Sequence, residues 1–253
     1  MGKKMIILLT VILLASALWV SQAVQAEDVQ AALEKIEQAA EKITSFEADM
    51  KMSTMMMNQP MDMSGHIVVL KPDKVRMTVT MPPQGEMEMV SDGTTTWTYM
   101  PMMNLVQKMD NAAIKDMPGM RSPGQPINDP SKVLEQMNPD SLRYLGEEPV
   151  DGQPCFVFEG EVSEQVRKMG QQFIPKTMKV WLAGADGLSR KIESHAADGA
   201  TMMTMIFSNV KTNIDLLEDH FTFTPPPGAQ VMDMSQAIQS MMKQMQQEAP
   251  PEQ

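Results

Sequence analysis

The chain has 253 residues, 30 of them methionine, and carries 32 acidic against 21 basic side chains for a formal net charge of −11 at pH 7. So acidic a surface is repelled by nucleic acid and by anionic membranes, and neither is an expected partner. Cys155 is the single cysteine, so no intramolecular disulfide is available and the apolar core must hold the fold alone.

Residues 1–26 carry the pattern of an export signal. Lys3 and Lys4 form a short basic start, 5–20 is apolar apart from Thr10 and Ser16, and Val24-Gln25-Ala26 fits a signal-peptidase site. The apolar run is shorter than the roughly 20 residues that a bilayer-spanning helix needs. No cysteine stands near the cleavage point to carry a lipid, so an exported, soluble product is expected. Residues 27–232 show no linker-like shift in composition and are read as one domain, with 233–253 as a C-terminal helix and polar tail.

From Asp28 to Thr44 the chain reads as an amphipathic helix, with Asp28 as cap and Val29, Leu33, Ile36, Ala40 and Ile43 on one stripe. The period then changes to two. Phe46, Ala48, Met50 and Met52 alternate with Glu47, Asp49, Lys51 and Ser53, and Val75, Met77, Val79 and Met81 alternate with Lys74, Arg76, Thr78 and Thr80, as in half-buried antiparallel strands. Further strands are predicted at 66–70, where the register is ambiguous, and at 90–99, 104–109, 143–148, 155–161, 177–182, 190–195 and 201–210. Asp-Gly pairs at 92–93, 151–152, 186–187 and 198–199 supply hairpin turns. Prolines 118, 123, 126 and 130 make 110–130 a mobile loop, followed by a short helix that starts at Asp129-Pro130 and has Val133, Leu134 and Met137 on its apolar side. A second short helix is predicted at 163–171. Pro225-Pro226-Pro227-Gly228 should stop the sheet, and 235–247 forms the last helix.

A one-sided sheet whose inner positions are methionine points to a pliable apolar pocket, because the unbranched thioether repacks around ligands of uncertain shape. Met50, Met52, Met63, Val75, Met77, Val79, Met81, Met87 and Met89 are its candidate lining, joined by Met178, Val180 and Leu182. Trp97 and Tyr99 share a strand face and either line the mouth or pack as an aromatic pair. Met50-x-Met52, Met55-Met56-Met57, Met61-x-Met63 and His66 also fit a thioether cluster for Cu(I), a soft ion that sulfur ligands select. Strand alternation alone does not separate the two readings. No nucleophile elbow, phosphate loop, His-Glu-x-x-His or paired-cysteine spacing is present, so neither an enzyme nor a bound cofactor is expected. Cys155 reads as a small packed residue, and His195 and His220 as ordinary surface or strand residues.

Several local motifs, in this order, resemble the periplasmic outer-membrane lipoprotein carriers, the LolA-like family. Lys71-Pro72-Asp73-Lys74-Val75-Arg76 looks like the family's turn between strands, and Val90-Ser91-Asp92-Gly93 leading to Trp97-Thr98-Tyr99 looks like its hairpin. Val180-Trp181-Leu182 with Asp186-Gly187-Leu188, then 207–213 and Phe221-Thr222-Phe223-Thr224-Pro225-Pro226, are similar to its C-terminal half. The resemblance implies a mainly β (α+β) fold, an incomplete antiparallel barrel curled around an apolar cavity and lidded by helices. It implies a periplasmic carrier that shuttles the acyl chains of lipoproteins or other lipids toward the outer membrane. An inner-membrane donor complex and an outer-membrane acceptor would be its partners, with only transient membrane proximity. A lipid sensor without a transport role would use the same pocket. The best-known carriers hold the lid with an arginine on an early strand; 46–58 contains none, so that latch is not carried over.

Overall fold

The computed structural model describes residues 28–56, 59–83, 85–113, 133–169 and 175–235. The export signal, most of the proline-rich loop with the Asp129-Pro130 helix start, and the C-terminal helix beyond Ser235 lie outside them. Helix α1 spans 28–40. The strands are β1 (Ser45–Met56), β2 (Gln59–Leu70), β3 (Lys74–Met81), β4 (Gly85–Asp92), β5 (Thr95–Met100), β6 (Leu105–Asp110), β7 (Arg143–Val150), β8 (Gln153–Glu161), β9 (Thr177–Ala183), β10 (Ser189–His195), β11 (Thr201–Thr212) and β12 (Gln230–Asp233), with a short helix α2 (Glu164–Met169) between β8 and β9.

All twelve strands join one open, curled sheet in the order β12-β6-β5-β4-β3-β2-β1-β11-β10-β9-β8-β7. The two meanders, β1 to β6 and β7 to β11, meet where β1 pairs with β11. Every neighbouring pair is antiparallel except β12 with β6. The four Asp-Gly pairs all fall in connections between paired strands, and the predicted segment 90–99 divides into β4 and β5 at Asp92-Gly93. Asp151 and Gly152 both take positive φ, 51° and 73°, the geometry that lets a two-residue turn follow the twist of its strands.

One face of the sheet and α1 form a single apolar core. Ala32, Ile36 and Ile43 from the helical end join Phe46, Ile67, Val69, Val75, Phe158, Val180, Leu182, Leu188 and Phe207, all buried. The helix sits directly on the β9–β10 turn. A side chain on Gly187, whose φ is +72°, would meet the Ile36 carbonyl oxygen at 2.5 Å. Lys71 Nζ donates to the Ala40 carbonyl at 2.9 Å, placing a cation at the negative end of α1. Val133 and Met137, predicted on the apolar side of a short helix, are both buried in the same core.

The opposite, outer face carries a strap made of residues 213–229. It is tied at its start by the Ser45 hydroxyl donating to the Ile214 carbonyl at 2.6 Å, and over β3 by Arg76 donating to the His220 carbonyl at 3.0 Å. Phe221 is buried beneath it. The proline run does not end the sheet as expected. Beyond Gly228 the backbone has donors again, and Gln230 donates to the Asn104 carbonyl at 2.9 Å to start β12 along the edge of β6. Truncating Phe221 to alanine should therefore destabilise the protein by about 3–5 kcal/mol. A denaturant-unfolding midpoint unchanged from wild type would show that the strap is a loose appendage.

Candidate binding face

Because the strands are antiparallel, the β1–β2, β3–β4, β5–β6 and β10–β11 turns lie at one end of the sheet. The Asp-Gly turns at 92–93, 151–152 and 186–187 lie at the other. Cross-strand register then assigns each side chain to a face. Phe46 stands opposite Val69, Val69 opposite Val75, Ile67 opposite Met77, and Met77 opposite Met89. Met52 stands opposite both Met63 and Met205, Met205 opposite Ile192, Ile192 opposite Val180, and Val180 opposite Phe158. These residues line one inner face from β4 to β8.

Along that face the composition changes with height. Reading from the Asp-Gly end toward the other, β1 presents Phe46, Ala48, Met50 and Met52, and β2 presents Val69, Ile67, Gly65, Met63 and Met61. β11 presents Phe207, Met205 and Met203, and β9 presents Leu182, Val180 and Met178. Aliphatic and aromatic residues occupy the first end and are buried. Thioethers accumulate toward the second, where Met52, Met61, Met63, Met81 and Met87 are only half-buried. Among the described residues the Asp-Gly end is fully packed, and the methionine end is half-covered on the β1–β4 side but packed on the β8–β9 side, where Val133, Met137, Val162 and Met178 are buried. Gly65 is bare because the backbone is tight there: a Cβ would clash with the Thr78 carbonyl at 2.3 Å, and the Met50 methyl packs over the position at 3.4 Å.

Of the predicted lining, Met50, Val75, Met77, Val79, Met178, Val180 and Leu182 are buried in the common core, while Met52, Met63, Met81, Met87 and Met89 pack against it half-buried. Trp97 and Tyr99 do not belong to this face. Trp97 pairs with Val90 and Tyr99 with Glu88, which places both on the outer face, where Phe223 of the strap stacks on Trp97 at 5.8 Å between centroids and tilts against Tyr99 at 6.3 Å. Alternation showed that the two share a side of β5. It did not say which side, and the strap makes the outer one apolar. Phe158, Ile192, Met205 and Phe207 were not singled out in the sequence, although the spacing of Met203, Met205 and Phe207 carries the same signal as β1.

His66 likewise faces outward, opposite Asp49. The thioethers of Met50, Met52, Met61 and Met63 therefore stand on the inner face without the imidazole that the copper reading joined to them. On the outer side Glu47, Asp49, His66, Asn209 and Lys211 border an open polar cleft of about 440 Å³. A hydrogen bond from Lys211, at 2.7 Å, holds the Glu47 carboxyl below its ordinary range. Asn209 at 2.7 Å and His66 at 2.8 Å do the same for Asp49. A second open cleft, about 490 Å³, has Arg143, Glu159, Glu161 and Lys176 among its walls. Among the described residues no group of three or more His, Cys, Asp or Glu is arranged to hold a metal ion. Nor is any helix among the described residues long and apolar enough to cross a membrane.

Residues 30–235 match the family described as "Predicted periplasmic protein (DUF2092)". The chain belongs to this family, and its compartment is the periplasm. An uncharacterized protein of Methanocaldococcus jannaschii is 30% identical over 200 residues, covering 78% of this chain and 52% of its own length, so the chain spans about half of that relative. Among solved structures, an uncharacterized conserved protein from Thermus thermophilus has the same fold, with a TM-score of 0.53 at 15% identity over 81% of this chain and 99% of its own. A LolA superfamily protein from Nitrosomonas europaea is also among the similar structures, at 14% identity over 77% of this chain and 97% of its own, with a TM-score of 0.36.

The outer-face carboxylates give a pH test. The pKa of Asp49 is depressed in the folded protein, so its contribution to stability is present above its unfolded value and is lost as pH falls through the folded one. Replacing Asn209 with Ala removes the larger of its two hydrogen-bonded supports. The Asp49 titration midpoint, followed by carboxyl NMR, should then move up toward the ordinary carboxylate range. An unmoved midpoint would show that the Asn209 bond does not hold the anion.

Proposed function

We propose that the protein sequesters the acyl chain of a lipid or an acylated protein against the methionine end of its inner face and carries it through the periplasm. The observation that carries this reading is the gradient along the face, from sealed aliphatic packing to half-buried thioethers at an open end. A purely structural core has no need of such a gradient. Each methylene removed from water is worth about 0.8 kcal/mol, so covering ten would supply on the order of 8 kcal/mol before the costs of association. The same methylenes are sheltered in a bilayer. Loading therefore requires an inner-membrane donor that drives extraction, and delivery requires an outer-membrane acceptor with a better site. An enclosed cavity under a helical lid is the form this face takes when loaded. Binding and release do the work, and no bond is made or broken.

Glutamate placed at Met63 or Met87 should weaken binding of a soluble acyl-chain fluorescent probe by about tenfold or more, because an unpaired carboxylate against apolar cargo is costly. Circular dichroism and a cooperative melt confirm folding in the same samples. Wild-type affinity in a folded Met63→Glu or Met87→Glu protein would remove the methionine end from the site.

Replacing Met50, Met52, Met61 and Met63 together with Leu separates this reading from copper binding. Apolar volume is nearly kept, at less than about 1.5 kcal/mol per swap, while every thioether of the group is lost. Acyl-probe binding should survive, and any Cu(I) affinity of the parent should be weak. Tight stoichiometric Cu(I) binding by the parent that disappears in the Leu variant, with no acyl binding in either, would overturn the carrier in favour of a metal site.

A further inference from the structure

The open end of the inner face has a rim, and one part of that rim is built to stay exposed. The β5–β6 connection is a single 3-10 turn, Pro101–Met103, in which Met102 is 71% and Met103 62% exposed. The turn is braced. Asn104 closes it in the left-handed conformation, φ 46°, donating its backbone N–H to the Pro101 carbonyl at 3.0 Å. The Asn104 side chain donates to the Gly228 carbonyl at 2.8 Å, and its own carbonyl accepts from Gln230. Gly85, at the tip of the neighbouring β3–β4 hairpin, has no side chain where Met102 Cγ and Sδ come within 3.2 Å of the Cβ position. Met102 thus rests on the bare tip of the β3–β4 hairpin, and both methionines stay largely exposed on a braced turn.

Among the described residues the rest of this side of the rim is uncharged. Met55, 50% exposed, lies at the same end, with Gln59, Pro60, Pro82, Pro83 and Pro101 also exposed. The first ionised groups down the strands are Asp62 and Glu86, both acidic. In a chain of net charge −11 this is a neutral apolar tip with acidic flanks. Among the described residues it has no arginine, tryptophan or tyrosine of the kind that anchors a protein partner, and no lysine to meet an anionic headgroup.

We propose that Met102 and Met103 are the element through which the open end touches an electrically neutral lipid surface, inserting their thioethers among zwitterionic headgroups while cargo passes to or from the inner face. The inference rests on the acyl-chain reading of that face and adds the surface at which exchange occurs. Neutral lipid matches an uncharged tip, and anionic lipid is opposed by its acidic flanks.

The test is flotation of the full mature chain with phosphatidylcholine vesicles, beside the soluble acyl-probe titration. The parent should float with the vesicles. Met102→Ser with Met103→Ser should lower vesicle binding by about tenfold or more while leaving the soluble-probe affinity unchanged, and Met102→Leu with Met103→Leu should restore flotation. Adding phosphatidylglycerol to the vesicles at low salt should reduce binding of the parent. Absence of parent flotation, or equal flotation by the parent and the serine variant, would overturn the proposal, including the case in which the same tip instead captures a protein. Loss of probe binding in the parent would overturn the acyl-chain site separately, because vesicle attachment is read without it.

Discussion

The pairing of β1 with β11 is the contact on which the rest of the molecule depends. It runs from Phe46 opposite Thr212 to Thr54 opposite Met203 and is the seam between two meanders. Either half alone would be a sheet with one apolar face in water. Along the seam the inner side is apolar, with Met50 against Phe207 and Met52 against Met205. The outer side is polar, with Glu47 bonded to Lys211 and Asp49 to Asn209. A slip of one residue would turn the methionines outward and the carboxylates into the core, so both faces enforce the same register. The bulge between Glu47 and Asp49 lies within this polar stretch.

Once the seam is fixed, the ends of the sheet become inequivalent. The Asp-Gly end is closed by α1 lying on Gly187, by Lys71 at the helix terminus, and by Phe46, Val69, Val75 and Phe207 beneath. Close packing of branched and aromatic side chains makes that end stiff. Toward the other end the same strands switch to thioethers; α2 and the segment around Val133 and Met137 pack over the β8–β9 side of that end, while the β3–β4 and β5–β6 turns there carry Pro82, Pro83, Pro101 and Asn104. One structure therefore combines a rigid base with an adaptable opening, and the switch is written into each strand separately.

The alternation of Phe46 to Ser53 and of Lys74 to Met81 was legible without the structure, as were the Asp-Gly turns and the amphipathic stripe of α1. All are local, and each depends on a period or a turn residue that two to eight neighbours define. What was not legible depends on distant chain. Trp97 and Tyr99 share a face, but only Phe223, more than a hundred residues later, decides that it is the outer one. His66 lies between Met63 and Ile67 in a run whose register the sequence left ambiguous, and its pairing with Asp49 settles the side. β12 escaped notice because its strand is short, exposed and preceded by three prolines. The gradient of methionine was in the sequence throughout, yet it becomes visible only when alternate strands are read in opposite directions.

Under the proposed carrier reading, the choice of methionine would bear on release as much as on capture. A carrier has to exist empty, and an apolar void left by departing cargo costs on the order of 24 cal/mol per Å³ where its walls cannot collapse. Walls of phenylalanine or valine keep their shape, so an empty site would be penalised and cargo held correspondingly tightly. Unbranched thioethers such as Met52, Met63 and Met87 can swing into the vacated space and recover contacts there. That stabilises the empty state and lowers the net affinity, which is what transfer to an acceptor requires. It also explains the placement. Collapse needs side chains that are already only half packed, and Met52, Met63, Met81 and Met87 are such side chains, set above a closely packed base.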